Sequence, residues 1–427
     1  MASIKRRHWL AGAAAVGLGS ALALRPADRG AAHSSYFATL QQALRAAGPA
    51  VPTLVVDRQR YLANLDSIAK TRHAGLALRV VVKSLPSLNL IAHALKAWNT
   101  ERVMTFNAPQ LLAVARAQPG VAVLLGKPMP VSTAAWVLDQ LAGLPFNAAR
   151  QIEWLIDTPA RATQYRELAR ARSLPMRLNV ELDVGLHRGG IEEDAAMLEV
   201  LKLVQSEPLL RWSGFMGYDA HLAAIPDLPG ARAGAAEHAR NAYARHFATA
   251  QTLLGATARE ALTLNTAGSL TYHLHDGKQV PNEVSVGSAA VKPLDFERDS
   301  TAALQAASFI ATPVLKTMDA FRLPRGVEWI SRATAVWDTN QARALAIHGG
   351  HWLADPVSPP GVQPSGLYGA SSNQQVMVAP ASTPLAVDDW VFLRPRQSEA
   401  VFLQFGDIAV FDGQRIAERW PVFAASA

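Results

Sequence analysis

Between Leu78 and Gly287 the chain alternates short apolar runs with longer mixed stretches. The runs are Leu78–Lys83, Arg102–Phe106, Val121–Leu125, Glu153–Asp157, Arg177–Asp183, Gly214–Tyr218, Ala261–Asn265 and Glu283–Gly287. Each has strand length, and most are rich in Val, Leu or Ile without clean alternation. Strands covered on both faces have that composition. The stretches between them, such as Ala108–Ala117 and Ala231–Leu254, are long enough for crossover helices. Eight such units predict an α/β fold, a (β/α)8 TIM-type barrel. A doubly wound open sheet produces a similar pattern, and periodicity alone leaves both open.

The pattern changes near residue 298. Short β-like runs follow, punctuated by Gly, Pro, Asn and Asp: Ala344–Ile347, Val376–Val378, Trp390–Leu393, Ile408–Phe411 and Ile416–Trp420. Asp412-Gly413 between the last two is a hairpin signal. This half predicts a second, mostly β domain. Upstream of the barrel pattern lie a helical segment near Tyr36–Ala47, a β-rich run Thr53–Asp57 and a helical pattern from Arg58 to about Arg72. The expected organisation is a leader over 1–30, a barrel over 31–297 and a β-rich domain over 298–427.

The leader reads Lys5-Arg-Arg-His-Trp-Leu10, then an apolar run Ala11–Leu24 with small residues at Ala21-Leu-Ala23. A basic start, a short apolar stretch and an A-x-A site predict a signal peptide. The paired Arg6-Arg7 resembles a twin-arginine signal. The run is short for a stable membrane span, although an uncleaved anchor is the rival reading. The expected location is the periplasm, or export by that route, which carries proteins already folded around their cofactor.

Length and composition add bounds. Half of the 427 residues are hydrophobic, enough for a large core, and only 18% are charged. The formal charge is +7, of which Lys5, Arg6 and Arg7 supply three. No dense Lys/Arg stripe occurs elsewhere, so nucleic-acid binding is not expected. The chain has no cysteine, which excludes disulfides, thiolate metal sites and cysteine nucleophiles.

Chemistry-bearing residues cluster at the predicted strand ends, where barrel active sites lie. Lys83 closes Leu-Arg-Val-Val-Val-Lys, and partial desolvation there favours a neutral, nucleophilic amine. The fifth run ends in Glu181-Leu-Asp-Val-Gly-Leu-His-Arg-Gly-Gly190. Asp183, His187 and Arg188 are too polar for a core unless paired. The sixth run ends in Gly217-Tyr-Asp-Ala-His221, which makes His221 an acid/base candidate. Asn265-Thr266-Ala-Gly268-Ser269 and Val286-Gly287-Ser288 follow the seventh and eighth runs. Such loops let backbone N–H groups approach an anion, and their positions are those of the usual barrel phosphate site.

Lys83, the Asp-Val-Gly-Leu-His-Arg-Gly-Gly segment, Gly-Tyr-x-x-His and the closing Trp420-Pro-Val422 resemble the D-threonine aldolase / D-serine dehydratase group. These are fold-type III, alanine-racemase-like pyridoxal 5'-phosphate enzymes. The resemblance covers roughly Pro52 to Val422. It implies that Lys83 carries the cofactor as a Schiff base and later moves the Cα proton. It implies that Arg188 hydrogen-bonds the phenolic oxygen, and that Tyr218 and His221 face the substrate. Thr266, Gly268, Ser269, Gly287 and Ser288 would hold the phosphate. It also implies an amino-acid substrate and a homodimer. The family's lyases bind a divalent metal through a histidine and a cysteine or aspartate two residues later. Here Gln397 and Glu399 stand at those positions. Gln is a poor zinc ligand, and Glu399 alone would hold a hard cation weakly, so the metal site is weakened or lost.

Four functions compete. The domain layout favours a lyase acting on a D-3-hydroxy amino acid, by retro-aldol cleavage or β-elimination. A racemase or epimerase needs a second base, for which Tyr368 is the one tyrosine after residue 298. A non-catalytic pyridoxal-phosphate carrier would not need the extra domain. A sugar-binding or hydrolytic barrel could draw on Asp157, Glu181 and Asp183 as paired carboxylates, but leaves Lys83 unexplained.

Overall fold

A computed structural model of the chain describes residues 25–226, 228–329, 331 and 337–424. The expected leader, with Arg6-Arg7 and the Ala21–Ala23 site, lies outside the described residues up to residue 24. Among the described residues, no helix is long and apolar enough to cross a membrane.

The described chain forms two compact units. Among the described residues, one comprises 54–308, 396–412 and 417–424, and the other 25–53, 309–395 and 413–416. The units interleave along the sequence, whereas the sequence pattern placed one boundary between 297 and 298. In the first unit, β2 (Ala77–Val81), β3 (Arg102–Thr105), β4 (Ala122–Leu125), β5 (Ile152–Ile156), β6 (Met176–Glu181), β7 (Leu210–Gly217), β8 (Thr263–Thr266) and β9 (Glu283–Val286) close into a parallel barrel. Closure pairs β9 with β2, in the register Arg79↔Ser285 and Val80↔Val286. That closure excludes the open-sheet alternative. Outside the barrel, β1 (Thr53–Asp57) runs parallel to β16 (Asp407–Phe411), with Val56 opposite Val410. Next to β16 lies β17 (Ile416–Pro421).

Local signals explain where the crossover helices begin. Asp57, Asn107 and Thr158 each accept a hydrogen bond from the backbone N–H three residues on, at Arg60, Gln110 and Arg161. Each cap satisfies a donor that the first helical turn leaves unpaired, worth about 1 kcal/mol. The helices Ala108–Ala117 and Ala231–Leu254 occupy the stretches that the pattern marked.

The barrel interior is not wholly apolar. Arg79, 1% exposed, makes a two-bond pair with fully buried Glu283, at 2.5 and 3.0 Å. Glu283 also accepts from Arg102 at 2.9 Å and from Asn265 at 2.8 Å. Burial alone would raise the Glu283 carboxyl, but the Arg79 and Arg102 charges and the hydrogen bonds from Arg79 and Asn265 together hold the group below its usual range.

The second unit is an antiparallel sheet. Its order is β13 (Gln363–Pro364), β14 (Gln374–Ala379), β11 (Arg343–His348), β10 (Ser308–Met318), β15 (Trp390–Pro395) and β12 (Ala354–Ser358). The helix Ser35–Ala46 belongs to this unit, not to the barrel. An aromatic cluster holds it, with Phe37 centred 5.2 Å from Phe309 and 4.9 Å from Phe392. Trp390 N donates to Gln41 at 2.9 Å.

Candidate active site

One cavity of about 140 Å³ gathers most of the predicted site residues. Lys83, Arg188, Tyr218, Gly268, Ser269, Ser288 and Glu399 all line it. They come from loops beyond β2, β6, β7, β8 and β9, and from the short helix Glu399–Phe402. All belong to the barrel unit. The C-terminal ends of parallel strands converge at one mouth, which is why residues so distant in sequence meet.

Lys83 stands one turn beyond its strand, in the single turn Val82–Ser84. Its Nζ lies 2.9 Å from a Glu399 carboxylate oxygen, with both side chains about one-third exposed. The amine therefore has a carboxylate partner, where the sequence had suggested an apolar setting. The Ser84 hydroxyl donates to the same oxygen at 3.2 Å. The Phe106 ring lies beneath Nζ at 4.7 Å.

The Glu181–Gly190 segment leaves β6 and returns in parallel register, with Leu182 opposite Ile191. Asp183 organises the excursion. One oxygen accepts N–H bonds from Gly185 at 2.8 Å and His187 at 3.0 Å, and the other lies 3.1 Å from His187 Nδ1. Burial opposes ionisation of Asp183, yet these donors hold its carboxyl below the usual range. The excursion carries Arg188 over the Tyr218 ring, 4.8 Å from its centre. Burial pushes the Tyr218 hydroxyl up, against the nearby Arg188 charge. Burial also pushes Glu181 up to about 7, again with Arg188 acting the other way.

The loops after β8 and β9 form an anion cradle. Backbone N–H groups of Gly287 and Ala289 donate to Ser269 Oγ at 3.0 and 3.2 Å. A Cβ on Gly268 would sit 2.7 Å from the Tyr218 ring. One on Gly287 would sit 2.7 Å from Ser84 Cβ and 3.0 Å from the Val81 carbonyl. Only glycine permits this approach. The Ser269 and Ser288 hydroxyls and the Lys83 amine line the same cavity, beside the close-packed Gly268, and fit a phosphorylated aldehyde cofactor.

Four predicted residues are absent from that lining. Gly287 adjoins it in sequence, next to Ser288, with its N–H bonded to Ser269 Oγ. Thr266 donates its hydroxyl to Gly217 O at 2.9 Å and borders a separate, smaller cavity. It ties β8 to β7 and does not reach the cradle. His221 sits on the turn Ala220–Ala223, close to where a Cβ on Gly185 would lie, and is not among the lining residues. Burial lowers its ring below the ordinary histidine range, and Nδ1 is buried without a partner. Gln397 is exposed and also not part of the lining.

The two candidate metal positions, Gln397 and Glu399, do not converge at the cavity, and Glu399 is already paired with Lys83. Among the described residues, the three donors that do approach within 4.8 Å are Asp183, His187 and Glu192. The residues at 397 and 399 do not fit a resident cation.

Sequence reasoning missed Phe106, Asn265, Thr271 and Phe296 on the wall. Phe106 was findable, since it ends the second apolar run. Thr271 was less so. It accepts from Gly268 N at 3.0 Å and donates to buried Asp219 at 2.6 Å, and Asp219 also holds His275 at 2.7 Å.

The model of the family described as alanine racemase, N-terminal domain, matches residues 56–293. The chain belongs to that family. Its members are fold-type III, pyridoxal-phosphate-dependent enzymes. A search of curated protein sequences finds no match. Among solved structures, D-threonine aldolase from Filomicrobium marinum superimposes with a TM-score of 0.67 at 18% identity, covering 88% of this chain and 98% of that one. D-threo-3-hydroxyaspartate dehydratase from Delftia sp. HT23 gives 0.66 at 16%, with the same coverages. Alanine racemase from Bacillus anthracis, with bound L-Ala-P, gives 0.65 at 14%, again with those coverages. At these identities the likeness establishes the fold.

Proposed function

We propose that this family member is a pyridoxal-phosphate-dependent lyase acting on a D-3-hydroxy amino acid, by retro-aldol cleavage or β-elimination. The observation that carries the reading is Lys83 sharing one cavity with the hydroxyl-bearing Ser269 and Ser288 of the loops after β8 and β9. The cofactor, when bound, supplies an electron sink for the pair released at the substrate α-carbon. Lys83 is its attachment point, and Lys83 Nζ is the group placed to take up or return the Cα proton. Ser269 and Ser288 would hold the phosphate, and Arg188, stacked over Tyr218, would hold the phenolic oxygen. Tyr218 would present its hydroxyl on the substrate side. No step is drawn through a metal.

One feature favours the lyase over a racemase. The Tyr368 hydroxyl donates to the Arg322 carbonyl at 3.0 Å, and its ring packs on Phe321. A second-base mechanism through this tyrosine would have to give up that bond. The leader supports an exported enzyme, and the resemblance supports a homodimer.

The test is direct. Purified protein supplied with cofactor should absorb in the visible and lose that band in Lys83→Ala. D-threonine and D-serine should release aldehyde or keto acid. Loss of optical rotation without either product would replace the lyase with the racemase. A colourless wild-type protein would remove the cofactor reading altogether.

A further inference from the structure

Glu399 is the negative charge of the cavity. Its three charged lining residues are Lys83, Arg188 and Glu399. In the reading above, which this inference rests on, Lys83 and Arg188 are both committed to the cofactor. That leaves the substrate to meet the one anionic side chain of the lining, a carboxylate 2.9 Å from the reacting nitrogen. The same cavity is walled in part by Phe106, Phe296, Leu270 and Met216. We infer that Glu399 is a specificity residue, which makes the site reject amino acids carrying a second, β-carboxylate and accept those with a neutral β-substituent.

The physical basis is short range. An amino acid reacting at Lys83 brings its own nitrogen to that end of the cavity, with its β-carbon two bonds further on. A β-carboxylate there lies within about 6 Å of Glu399, a like charge. For a partly exposed pair, like-charge repulsion at that range is worth about 10- to 100-fold in affinity. A neutral β-hydroxyl or amide pays nothing and can donate a hydrogen bond to the same oxygen. The solved dehydratase of similar fold bears the name of a β-carboxylate substrate, D-threo-3-hydroxyaspartate. This chain would differ from it in charge preference.

The test uses holoenzyme, in chelator-containing buffer at pH 7.5 and low ionic strength. Two isosteric ligands are compared, D-threo-3-hydroxyaspartate and D-threo-3-hydroxyasparagine, which differ only in charge. Binding is read from the change in visible absorption, and turnover from carbonyl product. The wild type should bind the amide about 10- to 100-fold more tightly. Glu399→Gln should bring the ratio to within about threefold of unity, while Glu399→Asp, which keeps the carboxylate, should retain discrimination. Circular dichroism and the visible band verify that each variant is folded and loaded.

Equal affinities in the wild type, a preference that survives Glu399→Gln, or no spectral response to either ligand would overturn the inference. Discrimination in binding without product from either ligand would overturn the lyase reading and leave the inference standing. Product from both ligands without discrimination would do the reverse.

Discussion

Glu283→Gln should be among the most costly single substitutions in the barrel, although it changes no volume. Glu283 is fully buried, and its two oxygens accept from Arg79, Arg102 and Asn265. The substitution replaces an acceptor oxygen with an N–H₂ group facing the Arg79 donors. It also strands a guanidinium that is 1% exposed. Breaking a buried pair from one side costs about 3–5 kcal/mol, mostly the uncompensated charge. With a urea slope of about 3 kcal/mol per M for a unit of this size, the midpoint should fall by about 1–2 M. The assay is urea unfolding at pH 7, followed by far-UV circular dichroism. Arg79→Met combined with Glu283→Met removes both charges at similar volume and should recover at least half of the loss. A single-variant cost under about 1 kcal/mol, or a double variant no better than the single, would refute the reasoning. The pH dependence has a definite sign. The folded-state carboxyl titrates below its ordinary value of 4.5, so its stabilisation is intact above that pH and is lost as pH falls through the folded-state value.

Three further outcomes follow. Glu181 is raised to about 7 from 4.5, so its contribution is complete below about pH 4.5 and lost as pH rises through 7. Allowing for partial exposure, stability should fall by about 1–3 kcal/mol across that window, and Glu181→Gln should flatten the profile measured by thermal melts from pH 5 to 8. Gly287→Ala forces a methyl against Ser84 and the Val81 carbonyl, and should cost about 1–3 kcal/mol while weakening cofactor retention on dialysis. A variant that keeps wild-type stability and retention would mean that the two loops yield freely. Asp219→Asn removes the charge that holds Thr271 and His275, so cofactor affinity should drop several-fold in an absorbance titration, and an unchanged affinity would show that the loop holds itself.

Much of the barrel was legible in the sequence because strands and helices are specified by neighbours a few residues apart. The eight apolar runs became the eight barrel strands with ends shifted by a few residues, and Ala108–Ala117 and Ala231–Leu254 are helices with the bounds the pattern marked. Lys83, Arg188, Tyr218, Ser269 and Ser288 could be named because parallel strand ends must converge. Side-chain direction could not be read that way. Thr266 and His221 sit beside wall residues, yet local hydrogen bonding and burial turn them from the cavity. Closure of the ring, the Arg79–Glu283 pair and the arrival of Glu399 at Lys83 were decided only in three dimensions. The last joins residues more than 300 positions apart, from a segment whose pattern assigned it to the β domain. Charge pairing across such separations depends on where the backbone returns, and no local period encodes that.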